Sequence, residues 1–359
     1  MSNQKKQLTF KGQKVYIGID VHKKSWTVTI LFNGMEHKTF NQAPEPTLLY
    51  RYLHRHFPGA DLLCVYEAGF CGFGPQRKLE ELGADCIVVN PADVPTTDKE
   101  KKRKDDRSDS RKLARGLQAG ELKGIYIPSI HMVEYRGLVR TRSQLVKDQT
   151  RTKNRLKSYL YNQGISIPEQ FSKTSHWSGA FIGWIRSLTM QTESGKATLE
   201  ATLEEGLAIR KLILATTRQM RTLSKHPDFN ERIGWLTSLP GIGLISAMTL
   251  ATELVDINRF GSLDKLCSFV GLIPNCHSSG ENQRTGRITN RGNHFLKNVL
   301  IEGAWTAIKK DPMLMLEYQR LTKHMVGNKA IIRIARKLLN RVRYVLKNET
   351  TYSVETQAA

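Results

Sequence analysis

The pattern of apolar and polar positions changes character twice along the chain. Residues 14 to 33, "KVYIGIDVHKKSWTVTILFN", hold two β-branched runs broken by polar residues. They close on Asn33-Gly34, the strongest short hairpin signal. "EHKTF" predicts a third strand, and "PTLLYRYLHRHF" carries apolar residues at helical spacing. "ADLLCVYEAG" is a fourth strand that ends on Glu67 and Gly69. "GPQRKLEELG" predicts a helix closed by Gly83, and "DCIVVNP" a fifth strand. "TTDKEKKRKDDRSDSRKLARGLQAG" is polar and basic at first, then helical. One position breaks the pattern: Asp20 stands in the middle of an otherwise apolar strand.

From about 132 to 163 the chain has few Gly or Pro and many Arg and Lys, which predicts one long amphipathic helix. Another runs from about 197 to 225. Leu and Ile at roughly heptad spacing in both suggest an antiparallel coiled-coil pair. The basic residues on the first helix have a solvated face as their commoner meaning. A third unit begins near 232 with "IGWLTSLPGIGLISAMTLATEL" and ends on a basic helix, "NKAIIRIARKLLNRVRYVLKN". The first elements, in the order β-β-β-α-β-α-β-α, are those of a ribonuclease-H-like sheet. The expected fold class is therefore α/β plus α, in three segments: 14–128, 129–228 and a mostly helical 229–348.

Composition narrows the partners. With 40% hydrophobic and 25% charged residues, a sizeable core is expected. Lys plus Arg number 55 against 33 Asp plus Glu, a formal charge of +22. Such an excess favours a polyanion, because phosphate contacts release condensed counterions; nucleic acid stands ahead of a merely basic protein. The five Cys, with no CxxC spacing, read as reduced thiols rather than disulfides or a zinc site. No membrane partner is expected: there is no signal-peptide pattern and no run near the ~18 apolar residues of a membrane helix. The expected location is the cytoplasm. Neither GxGxxG nor GxxxxGK[ST] occurs, so no nucleotide fuel is implied.

The acids give the first chemistry. A carboxylate in a central strand carries a high desolvation cost unless a cation pairs with it. Glu67 ends another strand, and Asp106 and Asp109 lie three apart, on one face of a helix. Each alone reads most simply as a solvated acid. Together with Asp20 they make a set suited to Mg²⁺ or Mn²⁺. Two such ions ~3.5–4 Å apart can hold both the attacking and leaving oxygens of a phosphodiester displacement. His22 reads as structural or solvated, and Trp26, Trp184, Trp235 and Trp305 as core.

"HSSGENQRTGRITNRGN" is rich in Gly, Asn, Arg and hydroxyls, a loop composition able to wrap a phosphate. A serine in it could attack phosphorus if cations stabilise the oxyanion. Arg284, Arg287 and Arg291 are candidates for phosphate contact, with solvated Arg as the alternative. "LPGIG", residues 239 to 243, resembles a helix-hairpin-helix turn. There Gly241 and Gly243 would either bring backbone amides to a phosphate or merely let two helices pack; the readings weigh equally. The last helix offers Arg333, Arg336, Lys337 and Arg341 to nucleic acid.

Five segments carry a resemblance in this order: "GIDVHKKSWTV", "YEAGFCGFGPQRKLEELGADCIVVNPADVP", "KDDRSDSRKLARGLQAGELKGIYIP", "LPGIGLISAMTLATEL" and "GLIPNCHSSGENQRTGRITNRGNHFLKNVLIEGAW". Over about 14 to 320 the chain resembles the DEDD transposases of bacterial insertion sequences. Within them it is most similar to the branch with a serine-bearing second half. The resemblance implies a RuvC-like first domain whose four acids correspond to Asp20, Glu67, Asp106 and Asp109. The family's Lys-Thr-Asp-Arg-x-Asp-Ala stands here as Lys104-Asp105-Asp106-Arg107-Ser108-Asp109-Ser110, and the spacing to Asp109 favours Asp106 over Asp105. The family's serine precedes Gly, which selects Ser279 before Gly280, with Ser278 as the rival. The resemblance further implies a phosphoserine link to DNA, a structured guide RNA from the element, and a dimer or tetramer in which acids and serine come from different subunits.

The expected function is a Mg-dependent DNA transposase or recombinase. A serine ester would conserve bond energy, consistent with the missing ATP motif. Two other readings fit parts of the sequence. A junction-resolving nuclease would need the four acids but no serine. A non-catalytic nucleic-acid-binding protein on a decayed transposase is disfavoured by the survival of all four acids.

Overall fold

The structure is a computed structural model that describes residues 9–95, 105–172, 177–279, 282–289 and 291–353; side chains at 172, 275–279 and 282–287 lie outside that description. It divides into two compact units, 1–127 and 128–359.

The first unit is built on a five-stranded mixed sheet. Its strands are β1 (Lys14–Val21), β2 (Trp26–Phe32), β3 (Met35–Gln42), β4 (Asp61–Glu67) and β5 (Asp85–Val89), in the order β3-β2-β1-β4-β5. β1–β2 and β2–β3 are antiparallel, while β1–β4 and β4–β5 are parallel. The Asn33-Gly34 turn between β2 and β3 has both residues at positive φ, 49° and 80°, as a two-residue hairpin of this hand requires. Helices α1 (Pro46–His56) and α2 (Gly74–Leu82) follow β3 and β4, and α2 ends on Gly83 in the left-handed conformation. Helix α3 (Asp106–Gln118) completes the predicted order.

Strand alternation sorts the sheet's faces. Val15, Ile17, Ile19, Val28 and Ile30 are fully buried in one core with Leu49, Leu53 and Leu79 of α1 and α2. The opposite face carries Gly18, paired with Thr29 on β2 and Val65 on β4. Helix α3 lies there. A Cβ on Gly18 would stand 2.1 Å from the Ser110 carbonyl oxygen and 2.5 Å from the Ala114 nitrogen. Buried Thr29 shares hydrogen bonds of 2.9 Å with the hydroxyls of Ser110 and Thr39. A hydroxyl and a missing side chain thus let α3 approach closely, and Leu113 then packs with Val65, Val89 and Val94. A mixed sheet with helices on both faces is the architecture expected of a ribonuclease-H-like transposase domain.

The second unit opens with the long helix α4 (Ile130–Asn162), then α5 (Glu169–Ser172), α6 (Gly179–Ser187) and a second long helix, α7 (Glu193–Leu223). Ser129 and Thr192 cap α4 and α7 through backbone amides of Met132 and Gly195. The two run antiparallel: Arg155 meets Glu205 at 2.6 Å, and Arg142 donates to the Thr217 hydroxyl at 2.8 Å. At one end Leu156, Leu160, Phe171, Trp177, Phe181, Leu199 and Leu203 form a small core. At the other, Met132, Val139 and Met220 belong to the main core of the helices that follow. Those are α8 (Asn230–Thr237), α9 (Leu244–Leu254), α10 (Leu263–Val270), α11 (His294–Ala307), α12 (Pro312–Thr322) and α13 (Gly327–Lys347). The base of the helix pair and the C-terminal helices thus share one core, on both sides of the expected segment border at 228/229. Between α10 and α11 lies a hairpin of β6 (Pro274–Ser279) and β7 (Asn282–Ile288). Among the described residues no helix is long and apolar enough to cross a membrane.

Candidate active site

Asp20 stands two residues beyond Gly18, at the end of β1 where the amino end of α3 crosses. Asp105 caps α3, its carboxylate accepting from the Arg107 amide and the Ser108 hydroxyl, each at 3.4 Å. Asp106 is then free of capping and stands near β1. His22 Nε2 lies 3.1 Å from Asp20 Oδ2 and 3.4 Å from Asp106 Oδ1. Ligand atoms of Asp20, His22 and Asp106 all fall within 4.8 Å of one another. Asp105 thus caps the helix, while Asp106 faces His22.

The electrostatics of the cluster are unfavourable for a bare anion. The Asp20 side chain is only 21% exposed. Burial pushes its carboxyl above the ordinary 3.8; His22 pulls it back, and the charges of Asp106 and Asp109 push it further up. Asp109 has its own cation, Lys112 Nζ at 3.3 Å. Glu67 closes β4. The last paired residues there are Ile19 and Tyr66, so Asp20 and Glu67 are the next residues on adjacent parallel strands. Neither Glu67 nor Asp109 belongs to the group of three within 4.8 Å. Carboxylate oxygens suit a hard divalent cation, with His22 holding the Asp20 carboxylate by a hydrogen bond, and a half-buried acid repelled by two acidic neighbours is where such a cation stabilises most.

His22, which the sequence reads as structural or solvated, stands in this group with half of its side chain exposed. It lies one residue past the end of β1, where the spacing of two from Asp20 alone does not fix its side chain.

The serine segment forms a hairpin rather than a loop. Pro274 pairs with Ile288 and Ser279 with Asn282. Gly280 and Glu281, together with the side chains of Ser278, Ser279, Arg284 and Arg287, lie outside the described residues. Arg291 is exposed, and its amide donates to the Thr289 hydroxyl at 3.1 Å.

The remaining basic and glycine candidates divide. Gly241, at φ 88°, has a packing reason: a Cβ there would lie 2.2 Å from the Gly303 carbonyl oxygen on α11. Gly243 precedes α9 with open space around its Cβ position. On α13, Arg333 is exposed, Arg336 meets Asp264 at 3.1 Å, and Lys337 meets Glu317 at 3.4 Å. Arg341 does not belong with them. It is 7% exposed and paired with fully buried Asp311, so its charge is spent inside the unit. The helical period places it on the buried stripe with Leu338, Val342 and Val345.

Residues 17–163 match the profile of IS110-type DEDD transposases, and residues 234–319 match that described as the Transposase IS116/IS110/IS902 family. A transposase-named protein of Sinorhizobium fredii is 30% identical over 241 residues, spanning 67% of this chain and 57% of its own length. A second from the same organism is 25% identical over 361 residues, 90% of each chain. The transposase for insertion sequence element IS1533 of Leptospira borgpetersenii is 25% identical over 251 residues, 68% of this chain and 70% of its own. An acidic centre on a mixed α/β sheet, followed by a helical second unit, defines the class: a DEDD transposase, whose acids imply use of a divalent metal. Within that class the chain belongs to the IS116/IS110/IS902 family of insertion-sequence transposases.

Proposed function

We propose that this protein is a DNA transposase that cuts and rejoins the ends of an insertion sequence through a phosphoserine intermediate. Asp20, Glu67, Asp106 and Asp109 would hold Mg²⁺ (or Mn²⁺), and Ser279 would be the nucleophile. The observation that carries the reading is the approach of Asp20 and Asp106 around His22, with Asp20 half-buried among like charges. The metal, when bound, supplies charge that polarises the phosphodiester and steadies its leaving oxygen.

The chain's own groups do the rest. His22 orients the Asp20 carboxylate. The Ser279 hydroxyl attacks phosphorus; the P–O bond to the departing strand breaks as the serine ester forms, and the serine proton passes, through solvent, to the departing strand's oxygen. A hydroxyl of the incoming strand then attacks the same phosphorus, the ester breaks, and Ser279 recovers a proton. One phosphoester bond is exchanged for another at each step, so no nucleotide hydrolysis is needed.

Substrate and assembly follow from charge and family. A balance of 55 basic against 33 acidic residues suits two polyanions, element DNA and a structured guide RNA from the same element. Exposed Arg333, the open amino end of α9 at Gly243, and Arg284, Arg287 and Arg291 are the proposed contacts, with Arg336 and Lys337 beside them. We read α4–α7 as an antiparallel coiled coil, α8–turn–α9 as a helix-hairpin-helix, and the working form as a dimer or tetramer acting in the cytoplasm.

The deciding test uses a cleavable DNA end and denaturing detection of protein-linked DNA. Ser279→Ala should lose the covalent adduct while binding DNA normally, and Asp20→Asn should lose metal-dependent cleavage. Normal cleavage by Ser279→Ala, with no adduct in the parent protein, would replace this reading with the junction nuclease.

A further inference from the structure

Glu253 is a buried carboxylate that the chemistry above does not use. It is 2% exposed, on a helix whose neighbouring residues Met248, Leu250, Ala251 and Leu254 are core. Arg140 of α4 grips it with two hydrogen bonds, at 2.6 and 2.8 Å, and Arg136 stands 3.7 Å away. A third donor comes from elsewhere in the chain: Asn293 Nδ2, 2.7 Å from Glu253 Oε2.

Asn293 has no freedom to turn. Its Oδ1 caps α11, accepting from the amides of Phe295 at 3.0 Å and Leu296 at 3.2 Å. Its own amide donates to the Phe269 carbonyl at 2.9 Å. With Oδ1 committed to the helix, Nδ2 must find an acceptor, and Glu253 is that acceptor. Thr289 and Gly292, in the turn beside Asn293, are held just as tightly. The Thr289 amide donates to the Ile273 carbonyl at 3.0 Å, and Lys297 Nζ donates to the Thr289 carbonyl at 2.8 Å. Gly292, at φ 109°, lies so close to Gly271 that a Cβ would come within 2.6 Å of its nitrogen. This turn is the root from which β7 runs back to Ser279.

We propose that Glu253 is a positioning residue: held by Arg140, it aims Asn293 and thereby fixes the root of the β6–β7 hairpin. A buried ion pair seldom gains stability over apolar side chains of the same volume. What it adds here is direction, since a carboxylate accepts from both the Arg fork and the Asn amide at once. The functional meaning rests on Ser279 as the nucleophile; the geometric claim does not.

The test uses the full chain as Glu253→Gln, Asn293→Asp and the double variant. Glu253→Gln can turn an amide toward the Asn293 amide, donor against donor. Asn293→Asp keeps the cap but sets carboxylate against carboxylate. The double variant restores one donor and one acceptor in reversed order, Gln to Asp. Hydrogen exchange over 274–289 and the rate of Ser279–DNA adduct formation are both measured, alongside thermal melting and DNA affinity. Each single variant should exchange hairpin amides about tenfold faster and form adduct about tenfold more slowly, the scale of one charge-assisted hydrogen bond. DNA affinity should be unchanged, and the double variant should recover both losses. Unchanged hairpin exchange in both single variants, or a double variant no better than the worse single, overturns the proposal. Should one single variant fail to fold, the other and the double still decide it. Absence of any Ser279 adduct in the parent protein would instead refute the nucleophile, with exchange alone then judging Glu253.

Discussion

Asp20 is where the tension of the acidic centre concentrates. Its folded carboxyl titrates above the ordinary value, so the stability tied to it is fully present below the unfolded pKa and is lost as pH rises through the raised one. Asp20→Asn should therefore raise the melting temperature of the metal-free protein at neutral pH, and the advantage should shrink as pH is lowered toward 3.8. Added Mg²⁺ should stabilise the parent and not the variant; equal stabilisation of both would remove Asp20 from the metal site. His22→Ala should weaken metal binding by roughly tenfold in calorimetry, the scale seen for groups that orient ligands. At this scale the odd placement of Asp20 on an apolar strand was legible, though it stands at the end of β1 rather than in its middle; its metal role is the proposal these measurements test. His22 was not, because a histidine at a strand end looks solvated until the neighbouring helix is in place. That Asp105 caps α3 was equally out of reach of the sequence, since only the folded helix shows which acid accepts from the Arg107 amide.

Among elements, the seat of α3 on β1 controls the site, and it depends on a side chain that is absent. Gly18→Ala would drive a methyl into the Ser110 carbonyl 2.1 Å away. The expected cost is about 1–3 kcal/mol, the usual range for overpacking, with loss of metal affinity because Asp106 moves with the helix. Chemical denaturation and metal titration of that variant check both parts; a native metal affinity would show that α3 tolerates the shift. The order of strands and helices along the first unit, the Asn33-Gly34 turn and the two long helices were all readable from periodicity and turn chemistry; the order of strands across the sheet was not. The β6–β7 hairpin was not, since "PNCHSS" and "NQRTGRI" carry hydroxyls and amides where a strand usually announces itself with apolar alternation. The role of Gly18 was equally hidden: the sequence contains the glycine, while its reason lies on α3, more than ninety positions later.

Across the whole molecule, net charge misleads unless inward and outward cations are told apart. Arg341 and Arg333 sit on one basic helix, and only packing separates them. Removal of Arg341 would strand a fully buried Asp311, and Arg341→Ala should cost about 3–5 kcal/mol in unfolding experiments. Burial works against the Asp311 charge, but the Leu314 amide and Arg341 hold its carboxyl below the ordinary range. Its contribution is thus present above the unfolded pKa and lost as pH falls through the lower folded value. Arg333→Ala should leave stability alone and reduce the salt slope of nucleic-acid affinity by about one, as for a single phosphate contact. An unchanged slope would make Arg333 a bystander.

Helix α4 has 33 residues, and at 1.5 Å rise each it runs for about 50 Å. Its two ends are pinned in separate clusters of side chains, with α7 lying alongside as a brace. Such a strut behaves as a ruler. Deleting seven residues from each limb at matching positions should draw the clusters about 10 Å together while leaving both intact. A recombinase measured with a shortened ruler would reveal whether the distance it spans is itself part of how DNA ends are selected.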